Sequence, residues 1–156
     1  MLFDLPTEAQ WEYACRSGTT TGLNSGLNYS ESNLKQVARC SFNTSDGKGG
    51  FSQHTVVGCY RDSAWGLYDM HGNVREWCRD FTNYGGLGGF GAIDPKGAGS
   101  GYVYGSGYDG SRVTRGGCYN QNTQCRSAYR YPQEYLGSTQ KSSSTGFRVM
   151  CSPVAE

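Results

Sequence analysis

The sequence predicts an α+β domain in which loops outnumber regular elements. Gly accounts for 24 of the 156 residues, about twice the usual share and without a collagen period. One segment carries strong helix-boundary signals, and the other candidates for regular structure are short runs that alternate with the period of a strand. Because 13% of the residues are aromatic and 36% are hydrophobic, we expect a core of a few large rings rather than many aliphatic side chains.

Length and charge narrow the class of protein. A sequence of 156 residues is long enough to form the core of one domain, which we assign to residues 1–156. Fourteen basic and thirteen acidic residues give a net charge of +1, whereas a nucleic-acid-binding domain carries a concentrated basic patch. No apolar run reaches the roughly 18 residues of a transmembrane helix, and residues 1–6 lack the pattern of a signal peptide. We therefore expect a soluble protein that has no membrane segment and does not bind nucleic acid.

The first predicted element is a short helix from about Glu8 to Arg16. Thr7 and Gln10 have the spacing of a capping box, in which each side chain bonds the backbone amide of the other residue. The apolar side chains of this helix share one face: Trp11, Ala14 and Cys15. Gly18 follows the last turn, where a residue in the left-handed conformation ends many helices.

The middle of the sequence combines polar loops with one aromatic stretch. Residues 18–50 are small and polar and predict a loop with a helical turn at about 32–37, and residues 55–58 predict the start of a strand. The central stretch, residues 65–77, contains two Trp and the carboxylates of Asp69 and Glu76. Since rings need burial and a buried carboxylate needs a partner, it predicts a core turn around a cation or a hydrogen-bond network, with both Trp anchoring the core.

Three further segments complete the predicted elements. Side chains alternate between two faces from 73 to 78, which indicates a strand. Residues 83–111 contain eleven Gly interleaved with aromatic residues, so they are either disordered or, as we favour, a binding loop. Residues 112–117 predict a strand and turn, and residues 146–150 predict a closing strand with Phe147 and Val149 facing alike.

The seven cysteines leave the redox state open. No Cys-x-x-Cys pair occurs and only two His are present, so we do not expect a structural zinc site. The odd number fits either buried thiols in a reducing compartment or one to three disulfides with a free thiol. The simplest interpretation of each Cys is a small buried apolar residue.

A polar and aromatic segment runs from residue 119 to residue 145. Its composition is that of antibody binding loops, in which Tyr supplies rigid contact area and Ser, Asn and Gly supply adaptable hydrogen bonds. We expect a protein or other macromolecular ligand there, and the alternative is that these are ordinary solvated loop residues. The candidate ligand-binding residues are Tyr119, Asn120, Gln121, Asn122, Tyr129, Tyr131 and Tyr135, joined by Tyr104 and Tyr108.

Four segments in order resemble the domain of the formylglycine-generating enzymes, the sulfatase-modifying factor family. They are Leu-Pro-Thr-Glu-Ala-Gln-Trp-Glu-Tyr at 5–13, the central stretch, Arg-Val-Thr-Arg-Gly-Gly at 112–117 and Gly-Phe-Arg at 146–148. The resemblance implies a C-type-lectin-like fold, and a protein that is shortened at its N-terminal end or is a fragment. The polar segment lies between the last two motifs, which resembles the variable proteins of diversity-generating retroelements, whose ligand-binding face uses this fold.

The resemblance also implies a structural calcium site in the central stretch. Two carboxylates and two backbone carbonyls would supply oxygen ligands of the kind that calcium prefers. The implied ligands are Asp69, Gly72, Val74 and Glu76. The alternative is that the two carboxylates bond amides or pair with Arg75 or Arg79. The family's second calcium site corresponds to Asn33 and Leu34, with Asp46 as the nearest acidic residue.

The family's oxidases bind copper(I) through two closely spaced cysteines shortly after the Arg-Gly-Gly turn, because soft thiolates select that ion. Neither corresponding position is Cys here, and Cys118 and Cys125 are seven residues apart, so we expect no copper. Since some members join these regions by a disulfide, the resemblance implies that Cys125 faces Cys15. His71 is interpreted as a ring satisfied by backbone rather than as a base.

The hypothesis is therefore a non-catalytic ligand-binding or display module, including the case of a retroelement-diversified variable protein. Its alternative is a copper-dependent oxidase that converts a sulfatase cysteine to formylglycine.

Overall fold

A computed structural model describes residues 1–44, 53–81, 112–130 and 141–152. The predicted binding loop at 83–111 lies outside these ranges, and so do Tyr131 and Tyr135. Within them, no helix is long and apolar enough to cross a membrane.

Both helices form where local signals predict them. Helix α1 (Glu8–Arg16) carries the predicted capping box, in which Thr7 Oγ1 accepts the amide of Gln10 and Gln10 Oε1 accepts the amide of Thr7. It ends at Ser17, whose backbone is left-handed (φ 47°). Helix α2 (Glu31–Val37) confirms the predicted helical turn and begins at Ser30, whose hydroxyl accepts the amide of Asn33 at 3.2 Å.

The strands of the described residues are short and form three small sheets. They are β1 (Leu2–Asp4), β2 (Ala38–Arg39), β3 (His71–Gly72), β4 (Arg75–Phe81), β5 (Arg112–Arg115), β6 (Thr145–Gly146) and β7 (Met150–Ser152). In the largest sheet, β4 pairs antiparallel with β5 and parallel with β6. Strands β2 and β3 pair in parallel, and β1 and β7 pair antiparallel.

Strand β4 shows the predicted alternation from Glu76 onward, whereas Arg75, predicted to share the face of Trp77, is buried. Glu76, Cys78 and Asp80 are buried, whereas Trp77 is half-buried and Arg79 is exposed. The strand starts two residues later than predicted, at Arg75. This register directs the carboxylate of Glu76 into the interior, where it requires a partner.

Two strand predictions are wrong. Residues 55–58 contain a turn at 57–58 instead of a strand. The predicted closing strand is interrupted, because β6 ends at Gly146 and β7 begins at Met150. Phe147 is 67% exposed and Val149 is 55% exposed. Arg148, between them, turns inward to pair with Glu76, so its two neighbours face solvent.

The described core differs from the ring-built core that composition predicts. Trp11 is the only aromatic residue among its fully buried members, and aliphatic side chains and thiols supply the rest. Trp65 is 48% exposed and lies against Tyr13 with 5.0 Å between ring centroids. Trp77 is half-buried. The prediction that the two Trp of the central stretch anchor the core is therefore wrong, and α1 supplies the core Trp.

Candidate functional site

Asp69 lies in the turn before β3, with a left-handed backbone (φ 57°). Its Oδ2 accepts the amide of Gly58 at 2.7 Å. Its Oδ1 is buried and accepts no hydrogen bond from the described residues. Of the two interpretations of this carboxylate, amide bonding thus accounts for one oxygen and leaves the other available.

Glu76 is held by Trp11 of α1 and by Arg148, which lies between β6 and β7. Arg148 donates to both carboxylate oxygens, from Nε at 2.6 Å and from a terminal nitrogen at 2.7 Å, and Trp11 Nε1 donates at 2.6 Å. The alternative partners considered from the sequence were wrong, because Arg75 bonds Ser144 and Arg79 pairs with Asp4. Burial by itself lowers the pKa of Arg148, but the hydrogen bonds and charge of Glu76 outweigh it and raise that pKa.

Three of the four predicted calcium ligands line one cavity of about 380 Å³: Asp69, Val74 and Glu76. Gly72, the fourth, was predicted to contribute its carbonyl oxygen and is not among the residues that line this cavity. The buried, unpartnered oxygen of Asp69 suits a cation bound through oxygens, whereas Glu76 is already engaged by the guanidinium of Arg148. Calcium at this cavity stays a prediction, and it requires Glu76 to share its oxygens with Arg148 or to release it.

The described residues do not assemble a ligand set for any other metal site. No group of three or more His, Cys, Asp and Glu side chains there could hold a metal ion. At the second predicted calcium site, Asn33 donates its side-chain amide to the carbonyl of Asn28 and Leu34 is fully buried. Asp46 lies outside the described residues.

All seven cysteines are free thiols, and five are buried. The implied disulfide between Cys15 and Cys125 is therefore absent from the structure. Burial raises the pKa of the Cys15 thiol to about 12 and also raises that of Cys125. His71 lies 3.9 Å from the sulfur of Cys15, and its Nε2 accepts the amide of Asn24 at 3.0 Å. This backbone partner agrees with the structural interpretation of His71.

Residues 119–130, which we call the polar loop, contain the described part of the predicted ligand-binding segment. Asn120 is exposed, whereas Tyr119, Gln121, Asn122 and Tyr129 are half-buried. The structure thus brings five of the seven candidate residues into one loop whose side chains reach the surface. The other two candidates, and Tyr104 and Tyr108, lie outside the described residues.

The backbone of the polar loop is fixed to the rest of the domain. The amide of Tyr119 bonds the carbonyl of Asn73 at 2.9 Å, and the carbonyl of Gln121 accepts the amide of Ser41 at 2.9 Å. The amide of Ser127 bonds the carbonyl of Gly22 at 3.0 Å. These bonds connect backbone atoms, so they do not depend on which side chains the loop carries.

Buried charges hold the C-terminal end of the polar loop. Arg115 of β5 donates to the carbonyls of Ser127 and Tyr129. Arg130 donates to both oxygens of the fully buried Glu8, at 2.6 and 2.7 Å. Because Glu8 belongs to α1, the loop end is tied to both the helix and the central sheet.

Two residues of this region were missed from the sequence, the exposed Arg126 and the half-buried Tyr29. Arg126 is exposed, and its guanidinium carbon lies 5.9 Å from the ring centroids of both Tyr29 and Tyr129. The Tyr and Asn composition around Arg126 could have drawn attention to it, since Arg accompanies Tyr in binding surfaces. Nothing in the sequence indicates Tyr29, which precedes α2.

These features define a loop-rich α+β domain with a C-type-lectin-like fold, in which a fixed scaffold carries a polar loop. The protein belongs to the family of sulfatase-modifying factor enzyme 1-like domains, whose model matches residues 3–153.

Three known proteins similar to this one are a variable protein, an enzyme and a protein kinase. The solved structure of Treponema denticola variable protein 1 is 30% identical with a TM-score of 0.72, covering 97% of this chain and 48% of that protein. The formylglycine-generating enzyme of Streptomyces coelicolor is 32% identical over 151 residues, covering 91% of this chain and 43% of the enzyme. The serine/threonine-protein kinase pkn1 of Chlamydia pneumoniae is 35% identical, covering 81% of this chain and 18% of the kinase. The sequence thus spans half or less of each of these proteins.

Proposed function

We propose that the protein is a non-catalytic module that binds a macromolecular ligand through the side chains of its polar loop. The observation that carries this proposal is that the backbone of the loop is held in place while several of its side chains are exposed to solvent. Its backbone is held by main-chain bonds and by Arg115 and Arg130, while Asn120, Thr123 and Arg126 expose their side chains. Exposed side chains on a fixed backbone can change without disturbing the fold, as in antibody loops.

The similarity to a variable protein supports the same function. In this molecule, variation would fall on exposed and half-buried positions of the polar loop. It would spare Cys125 and Ser127, which are fully buried. The proposal includes diversification by a retroelement. The backbone of the loop suits this, because its main-chain hydrogen bonds do not depend on which side chains vary.

A library experiment tests the display function. Positions 120, 123 and 126, whose side chains are exposed, are randomised together, and the fraction of folded variants and their melting temperatures are measured. We expect most variants to stay within a few degrees of the parent, since surface substitutions usually change stability by about 0.5 kcal/mol or less. A control library at the buried positions 125 and 127 should lose most of its folded members. Equal losses in both libraries would contradict the proposal.

The similarity to a formylglycine-generating enzyme favours one alternative, a copper-dependent oxidase acting on sulfatase cysteines. Copper(I) binds thiolates, and burial raises the pKa of Cys125, which opposes thiolate formation. Anaerobic copper(I) titration, followed by an assay on a cysteine-containing sulfatase peptide, separates the two functions. We expect neither stoichiometric binding nor aldehyde, and tight binding with turnover would establish the oxidase instead.

A further inference from the structure

Arg126 is an exposed arginine that forms no ion pair with the residues that the structure describes. Five described arginines form ion pairs with acidic side chains: Arg16, Arg79, Arg115, Arg130 and Arg148. Arg126 forms none with any described residue, although it is exposed at the centre of the polar loop. Glu31, an acidic residue of the neighbouring α2, is paired with Lys35 at 2.6 Å. The charge of Arg126 is thus not neutralised by the described part of the domain.

The position of the Arg126 side chain is nevertheless fixed. Its Nε donates to the carbonyl of Thr123 at 2.7 Å, and its guanidinium carbon lies 5.9 Å from the ring centroids of both Tyr29 and Tyr129. Tyr29 packs against the buried cluster that includes Leu23 and Leu34. The amide of Tyr129 bonds the carbonyl of Arg126 at 3.0 Å. A side chain held in this way loses little conformational entropy when it binds a ligand.

The chemistry of this arrangement selects an acidic group. A guanidinium is planar and weakly hydrated, and it matches a carboxylate through two parallel hydrogen bonds. Arg and Tyr are also the residues that dominate protein–protein binding energy. None of the residues that line the 380 Å³ cavity belongs to the polar loop, so this surface is not the wall of that cavity.

We infer that the ligand of the polar loop is a protein that places a carboxylate against the guanidinium of Arg126, which the rings of Tyr29 and Tyr129 flank at 5.9 Å. This inference rests on the proposed function and adds the chemical class of the partner. The carboxylate belongs either to an Asp or Glu side chain or to the C-terminus of the partner protein.

Selection of phage-displayed random 12-residue peptides on the whole protein tests the inference. Selected peptides are synthesised with free and amidated C-termini and with Asp or Glu changed to Asn or Gln. Their affinities are measured for the wild type and for Arg126→Gln and Asn122→Ala. Arg61→Gln serves as the control, because Arg61 is exposed outside the loop.

We expect one carboxylate to be shared by the binders, and its removal to weaken binding about ten- to a hundredfold. Arg126→Gln should weaken binding by a similar factor and cause no further loss with the neutralised peptide, whereas Arg61→Gln should have no effect. Binders that lose affinity on Asn122→Ala but not on Arg126→Gln would overturn the inference and leave the binding face standing. If no binders emerge, or if no substitution in the loop changes their affinity, both the binding face and the inference are wrong.

Discussion

At the scale of single residues, Glu76 connects the parts of the scaffold. It lies on β4 and accepts hydrogen bonds from Trp11 of α1 and from Arg148, next to β6. Removing the charge from one member of a buried ion pair leaves the other unpaired, which costs about 3 kcal/mol. We therefore expect Glu76→Gln to lower the free energy of unfolding by about that amount, measured by urea denaturation.

The matched control for Glu76→Gln is Arg79→Gln. Arg79 pairs with Asp4 at the surface, with its side chain 61% exposed, and such pairs contribute between about 0 and 1 kcal/mol. Similar losses of stability in both variants would show that the Glu76–Arg148 pair contributes no more to the free energy of unfolding than a surface ion pair does.

Burial also predicts which thiols react. Cys59 and Cys151 are exposed and the other five cysteines are buried. Because burial raises the pKa of Cys15 to about 12, almost none of this thiol is ionised at pH 8, and the thiolate is the reactive form. We expect iodoacetamide to label two cysteines in the native protein and seven after denaturation without reductant. Five labelled cysteines after denaturation would instead indicate a disulfide, with Cys15–Cys125 as the first pair to examine by mass spectrometry.

At the scale of elements, Gly72 allows β3 to approach β2. Its φ is +70°, and a Cβ there would lie 2.1 Å from the carbonyl oxygen of Arg39. Gly72→Ala combines backbone strain with a backbone clash, so we expect a loss of about 4 kcal/mol or an unfolded protein. Gly18→Ala is the control, since φ is +85° and no atom lies within 4 Å of the added Cβ. It should cost about 1 kcal/mol in thermal unfolding. Equal losses would mean that the backbone conformation, and not the contact with β2, decides the effect.

Elements with strong local signals were predictable, including β4 from its alternation, whereas contacts between side chains far apart in the sequence were not. Helix α1 follows from the capping box of Thr7 and Gln10, which are three residues apart. The interruption between β6 and β7 follows from the pairing of Arg148 with Glu76, which lies 72 residues earlier. A strand pattern cannot show that contact. The same limit explains why Trp65 was assigned to the core.

The candidate site also contains a part that the sequence predicts and a part that only the structure shows. Composition alone indicated Tyr119 to Asn122 and Tyr129 as a surface loop, and the structure brings them together. The contact between Arg126 and Tyr29 joins residues that are nearly a hundred positions apart. It depends on how α2 packs beside the polar loop, so only the folded protein reveals it.

At the scale of the whole molecule, the prediction of a calcium site is a prediction about the stability of this loop-rich domain. An ion that binds only the folded state raises stability, by about 2.7 kcal/mol at a concentration one hundred times its dissociation constant. We expect a chelator to lower the melting temperature, and Asp69→Asn to abolish that difference. Asp69 is the better probe because Glu76→Gln also breaks the pair with Arg148. A metal-free preparation whose melting temperature does not respond to calcium would rule out the site.

The division between scaffold and polar loop also predicts where related copies of the gene differ. If a retroelement diversifies the protein, the genome contains a near-copy of the codons for residues 112–149 beside a reverse transcriptase gene, with differences mainly at adenines. We expect these differences at exposed and half-buried positions such as Asn120 and Asn122. They should be absent at Cys125 and Ser127, since both side chains are fully buried and most substitutions there would unfold the loop. Complete genome sequencing decides the matter, and a genome without such a copy, or copies that differ equally at buried positions, would exclude this mode of diversification.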